Sequence, residues 1–180
     1  MPDSGIPFDY SYQYLAGGAN TNGGWRYWDT DAQFPLWYAE GAKANGYIPF
    51  FSYYMLLQSS GGCGSCVEPQ KDLAHLSDKA LMKAYYQDFR ILMKRLGPGT
   101  WGGIHGFGGT TIVQVEPDFS GYAEQAVIQP PDHCWGHCTR AGNSPAYLKA
   151  AVASSGDPDT KAYANTYQGF NQALLHLPAT

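Results

Sequence analysis

Residues 8–15, FDYSYQYL, alternate strictly, with Phe8, Tyr10, Tyr12 and Tyr14 on one side and Asp9, Ser11, Gln13 and Leu15 on the other. A period of two predicts a first strand there, stopped by Gly17-Gly18. Residues 47–57, YIPFFSYYMLL, are almost uniformly apolar, as in a parallel strand covered on both faces. Residues 111–116 alternate again, with Gln114 and Glu116 on one side and Thr111, Val113 and Val115 on the other, and Asp118 follows just past the strand. Between the strands the period changes to that of a helix. Residues 32–44 lie between the capping candidates Asp29 and Asp31 and the stop Asn45-Gly46. Over 77–96, Leu81, Tyr85, Phe89, Leu92 and Leu96 form one stripe, with Ser77 as cap and Lys94 and Arg95 in the last turn. A final helix is predicted from Asp157-Pro158 to Leu177, with Tyr163, Tyr167, Phe170 and Leu174 on one face. A short helix opened by Ser144-Pro145 is expected within the long stretch after Tyr122.

Strand, helix, strand, helix, strand, long loop, helix is the grammar of parallel (β/α) units in an α/β fold. Polar positions Asp9, Ser11 and Gln13, then Ser52, then Gln114 and Glu116, are expected to share one face, as in a barrel lumen that opens onto a site. A complete (β/α)8 barrel takes about 250 residues. The 180 residues are therefore expected to form one domain that is the N-terminal part of a TIM-type (β/α)8 barrel.

Composition adds a chemical class. Aromatic residues make up 15% of the chain, with 14 Tyr and 5 Trp, whereas charged residues make up only 14%. Flat rings with a polar edge suit sugar rings or bases. A formal charge of -4 and the lack of any Lys/Arg cluster argue against a phosphate backbone, so no nucleic-acid partner is expected. No apolar run approaches the roughly 18–20 residues of a membrane span, and the opening MPDSGIPFDY lacks the basic and apolar regions of a secretory signal. The glycines of WGGIHGFGG (101–109) precede a strand rather than open a helix, so they make no phosphate loop.

Carboxylates at the C-terminal end of a strand sit where α/β folds place their chemistry. Glu116 and Asp118 are the leading candidates, one as acid and the other as the neighbour that raises its pKa, because like charges in close proximity push one titration upward. Asp9 is a third catalytic candidate. Trp25 and Trp28 in the polar loop ANTNGGWRYWDTD, together with Tyr53, Tyr54, Gln114 and Trp135, are candidates for holding a substrate; ordinary packing is the alternative for the loop aromatics. His75 reads as a solvated or capping group, and His105 carries no signal.

The residues VEPD (115–118) at a strand end, followed by the helix around NTYQGFNQALLHL, resemble the acidic strand end of TIM-barrel glycoside hydrolases, most closely glycoside hydrolase family 6. The segments FDYSYQYLAGG and GYIPFFSYYMLLQS are also similar to those of a group of uncharacterised bacterial secreted proteins. The resemblance implies hydrolysis of glycosidic bonds in a polysaccharide or oligosaccharide, outside the cell, with Asp118 as catalytic acid and Glu116 tuning it. It also implies a second Asp after an earlier strand. The corresponding loop, QSSGGCGSC, has no carboxylate, so that partner is expected in residues following Thr180. A non-catalytic carbohydrate-binding or structural protein on the same scaffold is the alternative.

Cys63-x-x-Cys66 and Cys134-x-x-x-Cys138 admit two disulfides, a zinc site that is all-cysteine (Cys63, Cys66, Cys134, Cys138) or mixed with His133 or His137, or free thiols. With disulfides no cofactor is expected, and zinc is the alternative.

Overall fold

The computed structural model describes residues 7–128 and 148–177. Three strands, β1 (Tyr10–Ala16), β2 (Ile48–Tyr54) and β5 (Ile112–Val115), form a parallel sheet in the order β1-β2-β5. Strands follow one another across the sheet as they do along the chain. The register pairs Tyr12 with Phe50 and Phe50 with Ile112, then Leu15 with Tyr53 and Tyr53 with Val115. Two short strands, β3 (Thr100–Trp101) and β4 (Ile104–His105), make a hairpin inside what reads as a glycine-rich connection. Gly102 and Gly103 have φ of 61° and 79°, the two consecutive positive values that a tight two-residue hairpin turn needs.

The helices are α1 (Phe34–Ala44), α2 (Glu68–Ser77), α3 (Lys79–Leu96), α4 (Pro117–Ile128) and α5 (Tyr167–His176). The predicted helix over 77–96 is α3, with Asp78 rather than Ser77 as its cap: the carboxylate accepts from the Leu81 N–H at 2.9 Å. Ser77 instead ends α2. The helix predicted from Asp157 is displaced to α5. Asp157 is buried and engaged twice, by the Asp159 N–H in a tight turn and by Arg90 of α3 at 2.8 Å, so it folds a turn and Thr166 caps the helix instead.

Leu15, Phe51 and Tyr53 face the helices and are fully buried. They meet Ala39 of α1, Tyr85, Tyr86 and Phe89 of α3, Phe119 of α4 and Phe170 of α5 in one continuous core. Tyr53 stands edge-on to Tyr85 and to Phe89, with centroids 5.4 and 5.3 Å apart. The opposite face is open. Tyr10, Tyr12 and Tyr14 are 51%, 51% and 44% exposed and meet Phe50 and Tyr54 of β2 in a ladder of ring contacts.

This register corrects the expected polar face. Tyr14 aligns with Ser52 and Gln114, whereas Gln13 aligns with Phe51 and Val113. Ser11 and Gln13 therefore lie on the helix side, where Ser11 Oγ is 2.6 Å from the Tyr38 hydroxyl of α1. Ser52 and Gln114 lie on the open side with the tyrosines. Alternation alone does not say which set points inward, and in β1 it is the tyrosines that point outward.

Candidate active site at the strand ends

Strand β5 ends in a strained residue. The Glu116 N–H still completes the ladder to the Tyr53 carbonyl at 2.8 Å, after which φ turns to 46° and Pro117 starts α4. A glutamate with positive φ persists only where its surroundings over-determine it, and such residues cluster at sites. Its side chain points back into the fold. Oε1 accepts from the N–H groups of Met55 and Leu56 at 2.8 and 3.2 Å and from the Tyr85 hydroxyl at 3.0 Å. One carboxyl thus joins the ends of β2 and β5 to α3. Glu116 is buried, and desolvation outweighs these donors and raises its pKa to about 8. At neutral pH it is a carboxylic acid.

The end of β2 is clamped from other sides as well. The Leu56 carbonyl is 2.7 Å from His75 Nδ1, the Gly61 carbonyl is 3.0 Å from Nε2, and the Met55 carbonyl accepts from Ser59 Oγ at 2.8 Å. His75 is fully buried, so it braces the loop rather than meeting solvent.

Around this end gather more carboxyls than the sequence pattern marks. Glu68 opens α2, and Asp118 lies in the first turn of α4; α4 starts just past the end of β5, whereas α2 follows β2 after the loop of residues 55–67. The Tyr54 hydroxyl, on the open face, donates to Glu68 Oε1. Asp72, one turn beyond Glu68, is fully buried, and neither of its oxygens has a hydrogen-bond partner among the described residues. Burial first, then the charge of Glu68, pushes Asp72 to about 7. The charges of Glu68, Asp72 and Asp118 all raise the Tyr54 and Tyr122 hydroxyls, after burial, so β2, α2 and α4 converge on one spot. Asp118 itself faces solvent.

Several predicted site residues lie elsewhere. Asp9 precedes β1 at its other end, with its carbonyl bonded to the Ile48 N–H. Seven residues of strand at about 3.3 Å each place it roughly 23 Å from the Glu116 end, so it cannot join the site. Trp25 is 0% exposed and cannot stack on a ligand, because its indole N–H donates to buried Asp88 of α3 at 2.9 Å. Tyr53 is equally buried and donates to the same Asp88 oxygen at 2.7 Å. Trp28 is exposed, and its ring partner is Phe34 of α1 rather than a member of the acidic group. Tyr54 and Gln114 do lie on the open face. Trp135, Cys134, Cys138, His133, His137 and the helix expected at Ser144-Pro145 fall outside the described residues.

The two tryptophans therefore differ in what they support. Trp25→Ala empties a core position and removes one of the donors to buried Asp88, so it costs about 3–5 kcal/mol in chemical denaturation, against less than about 1 kcal/mol for Trp28→Ala.

Cys63 and Cys66 form a disulfide with Cα atoms 5.4 Å apart, which engages two of the four thiols expected for zinc. Among the described residues no group of three or more His, Cys, Asp or Glu side chains is arranged to hold a metal ion. The disulfide spans three positions, and closing so short a loop contributes only about 2 kcal/mol in the chain-entropy picture. Cys63→Ser with Cys66→Ser is expected to lower stability by no more than that in urea unfolding.

No helix among the described residues is long and apolar enough to cross a membrane. No family model, curated protein or solved structure matches the chain. The chemical reading rests on the site itself: a mixed α/β scaffold whose parallel strands end in a group of carboxyls, two of them raised towards neutrality and one facing solvent.

Proposed function

We propose that this chain is the beginning of a (β/α)8 barrel that hydrolyses glycosidic bonds of a polysaccharide or oligosaccharide with carboxyls at its strand ends. The observation that carries the reading is the meeting, at the C-terminal ends of parallel strands, of Glu116, raised to about 8, Asp72, raised to about 7, and solvent-facing Asp118. Cleaving an acetal needs one carboxyl that arrives with its proton and one that is ionised, and environments that push carboxyl pKa values apart supply both. Glu116 is walled in by its three donors and acts as the positioning residue of the β5–α4 turn. Asp118 is the group that reaches substrate. The barrel is supported by the sequential parallel strand order and, among the described residues, by helices packed on one face of the sheet, which leaves the other face for a lumen. The likeness of VEPD to family 6 points the same way. The Cys63–Cys66 disulfide supports an extracellular setting, and the reading requires neither a cofactor nor nucleic acid.

Incubation with cellohexaose and chitohexaose, followed by separation of the products, tests this. Shorter oligosaccharides should appear with the wild type, and Asp118→Asn should reduce the rate about 100-fold or more. Binding without cleavage, unchanged by Asp118→Asn, would instead favour a carbohydrate-binding protein. The exposed ladder of Tyr10, Tyr12 and Tyr14 is what supports that second reading.

A further inference from the structure

We infer that the Cys63–Cys66 bond is a thiol–disulfide exchange site, a C-x-x-C pair that accepts two electrons from small-molecule thiols and returns to the disulfide with the fold intact. The inference goes beyond the hydrolytic reading and does not depend on it. The two cysteines are three positions apart in the loop between β2 and α2, with Cα atoms 5.4 Å apart and the Cys66 N–H donating to the Cys63 carbonyl at 3.2 Å. A backbone turn therefore brings the sulfurs together, and it keeps them close once the bond between them is open.

Placement decides between a staple and an exchangeable bond. A staple joins segments that would otherwise separate, and its contribution grows with the loop it closes. This bond closes a short loop between segments that are already held. On the β2 side Ser60 and Asn20 exchange two hydrogen bonds of 2.9 Å, and the Gly61 carbonyl is 3.0 Å from His75 Nε2. On the α2 side the Val67 carbonyl accepts from the Lys71 N–H at 3.1 Å in the first turn of the helix. Only residues 62–66 lie between these anchors, so opening the bond frees that short segment and leaves both flanks in place.

Exchange also needs access. Cys63 and Cys66 are half-buried, but Gly62, Gly64, Ser65 and Val67 around them are exposed. Nothing stands within 4 Å of where a Gly64 side chain would begin, so the outer side of the turn is open to an incoming thiolate. The thiolate of a first small thiol bonds to one sulfur of the pair, the S–S bond breaks, and its electron pair stays on the other sulfur, which takes a proton. A second thiolate then bonds to the sulfur of the first thiol and displaces the remaining cysteine, which is protonated in turn. Two electrons have passed: the two small thiols end as one disulfide, and Cys63 and Cys66 end as thiols. The oxidised form of the small thiol reverses both steps.

The test follows the oxidation state of the wild-type protein under native conditions, by alkylating thiols and mapping by mass the peptide that contains residues 63–66. Structural disulfides of secreted proteins resist a glutathione buffer and stay almost wholly oxidised. In about 10 mM reduced and about 0.1 mM oxidised glutathione, at least about a tenth of this pair should be dithiol at equilibrium, and oxidised glutathione alone should restore the bond. Cys63→Ser with Cys66→Ser should keep the circular dichroism of the wild type. A pair that stays more than about nine-tenths oxidised in that buffer overturns the inference. So does a map that joins either cysteine to Cys134 or Cys138, or a double serine variant that has lost the native spectrum.

Discussion

Taking this protein from pH 4 to pH 9 is expected to destabilise it by on the order of 5 kcal/mol, and Glu116→Gln with Asp72→Asn should abolish most of that loss. Both carboxyls have folded-state pKa values raised above their ordinary ones, Glu116 from 4.5 to about 8 and Asp72 from 3.8 to about 7, with desolvation as the largest cause. A raised pKa means that the folded state holds its proton more tightly than the unfolded chain. The stabilisation is complete below about pH 4. It declines as the unfolded chain ionises and is gone once the folded groups also ionise, between about 7 and 8. Asp88 is raised too, again by burial, and adds in the same direction. Thermal melts at intervals of one pH unit check this. A melting temperature that stays level from pH 4 to pH 9, or a double variant with the wild-type slope, would contradict the burial of these two groups.

The second large effect belongs to Asp88. This buried carboxylate accepts from the Trp25 indole at 2.9 Å and the Tyr53 hydroxyl at 2.7 Å, and pairs with Arg26 Nε at 2.7 Å. Removing it leaves two buried donors without an acceptor and a half-buried cation without its partner. Asp88→Ala should cost about 3–5 kcal/mol in urea unfolding, whereas Asp88→Asn keeps an acceptor for the two neutral donors and should cost less. Because Trp25 and Arg26 sit in the loop after β1, the alanine variant should also free that loop. Limited proteolysis should then cut within residues 17–33 faster than in the wild type. Loss of Asp88 with no change in either measurement would mean that the loop is held by other contacts.

The three strands of the parallel sheet and helices α1 and α3 were readable because their apolar periods are unbroken. Helices α2 and α4 were not. Each has a proline at its start, Pro69 after Glu68 in α2 and Pro117 before Asp118 in α4, but EPQKDL carries no sustained apolar period and EPDFSGY stands out first as a strand end with two acids. Missing α2 also hid Glu68 and Asp72, since an acid in an unassigned segment says nothing until the fold sets it beside Asp118. Glu116 was legible as a site residue from its place at a strand end. Its burial and its hold on Met55, Leu56 and Tyr85 depend on residues 31 to 61 positions away and left no local trace. Between the two readings open for Trp25, a sugar platform or ordinary packing, the structure selects packing. A tryptophan among Asn and Gly reads as exposed, and only an aspartate 63 residues later turns it inward.

Among the described residues strand β2 is the member of the sheet hydrogen-bonded on both sides, and its end is gripped by Glu116, His75 and Ser59. Strands β1 and β5 each have a neighbour on one side only among the described residues. Within the described sheet, freeing β2 means breaking two ladders and its terminal clamp together. Among the described residues the backbone bearing Tyr54 is thus the part of the sheet held from most directions, and that of the β1 tyrosines is held from fewer.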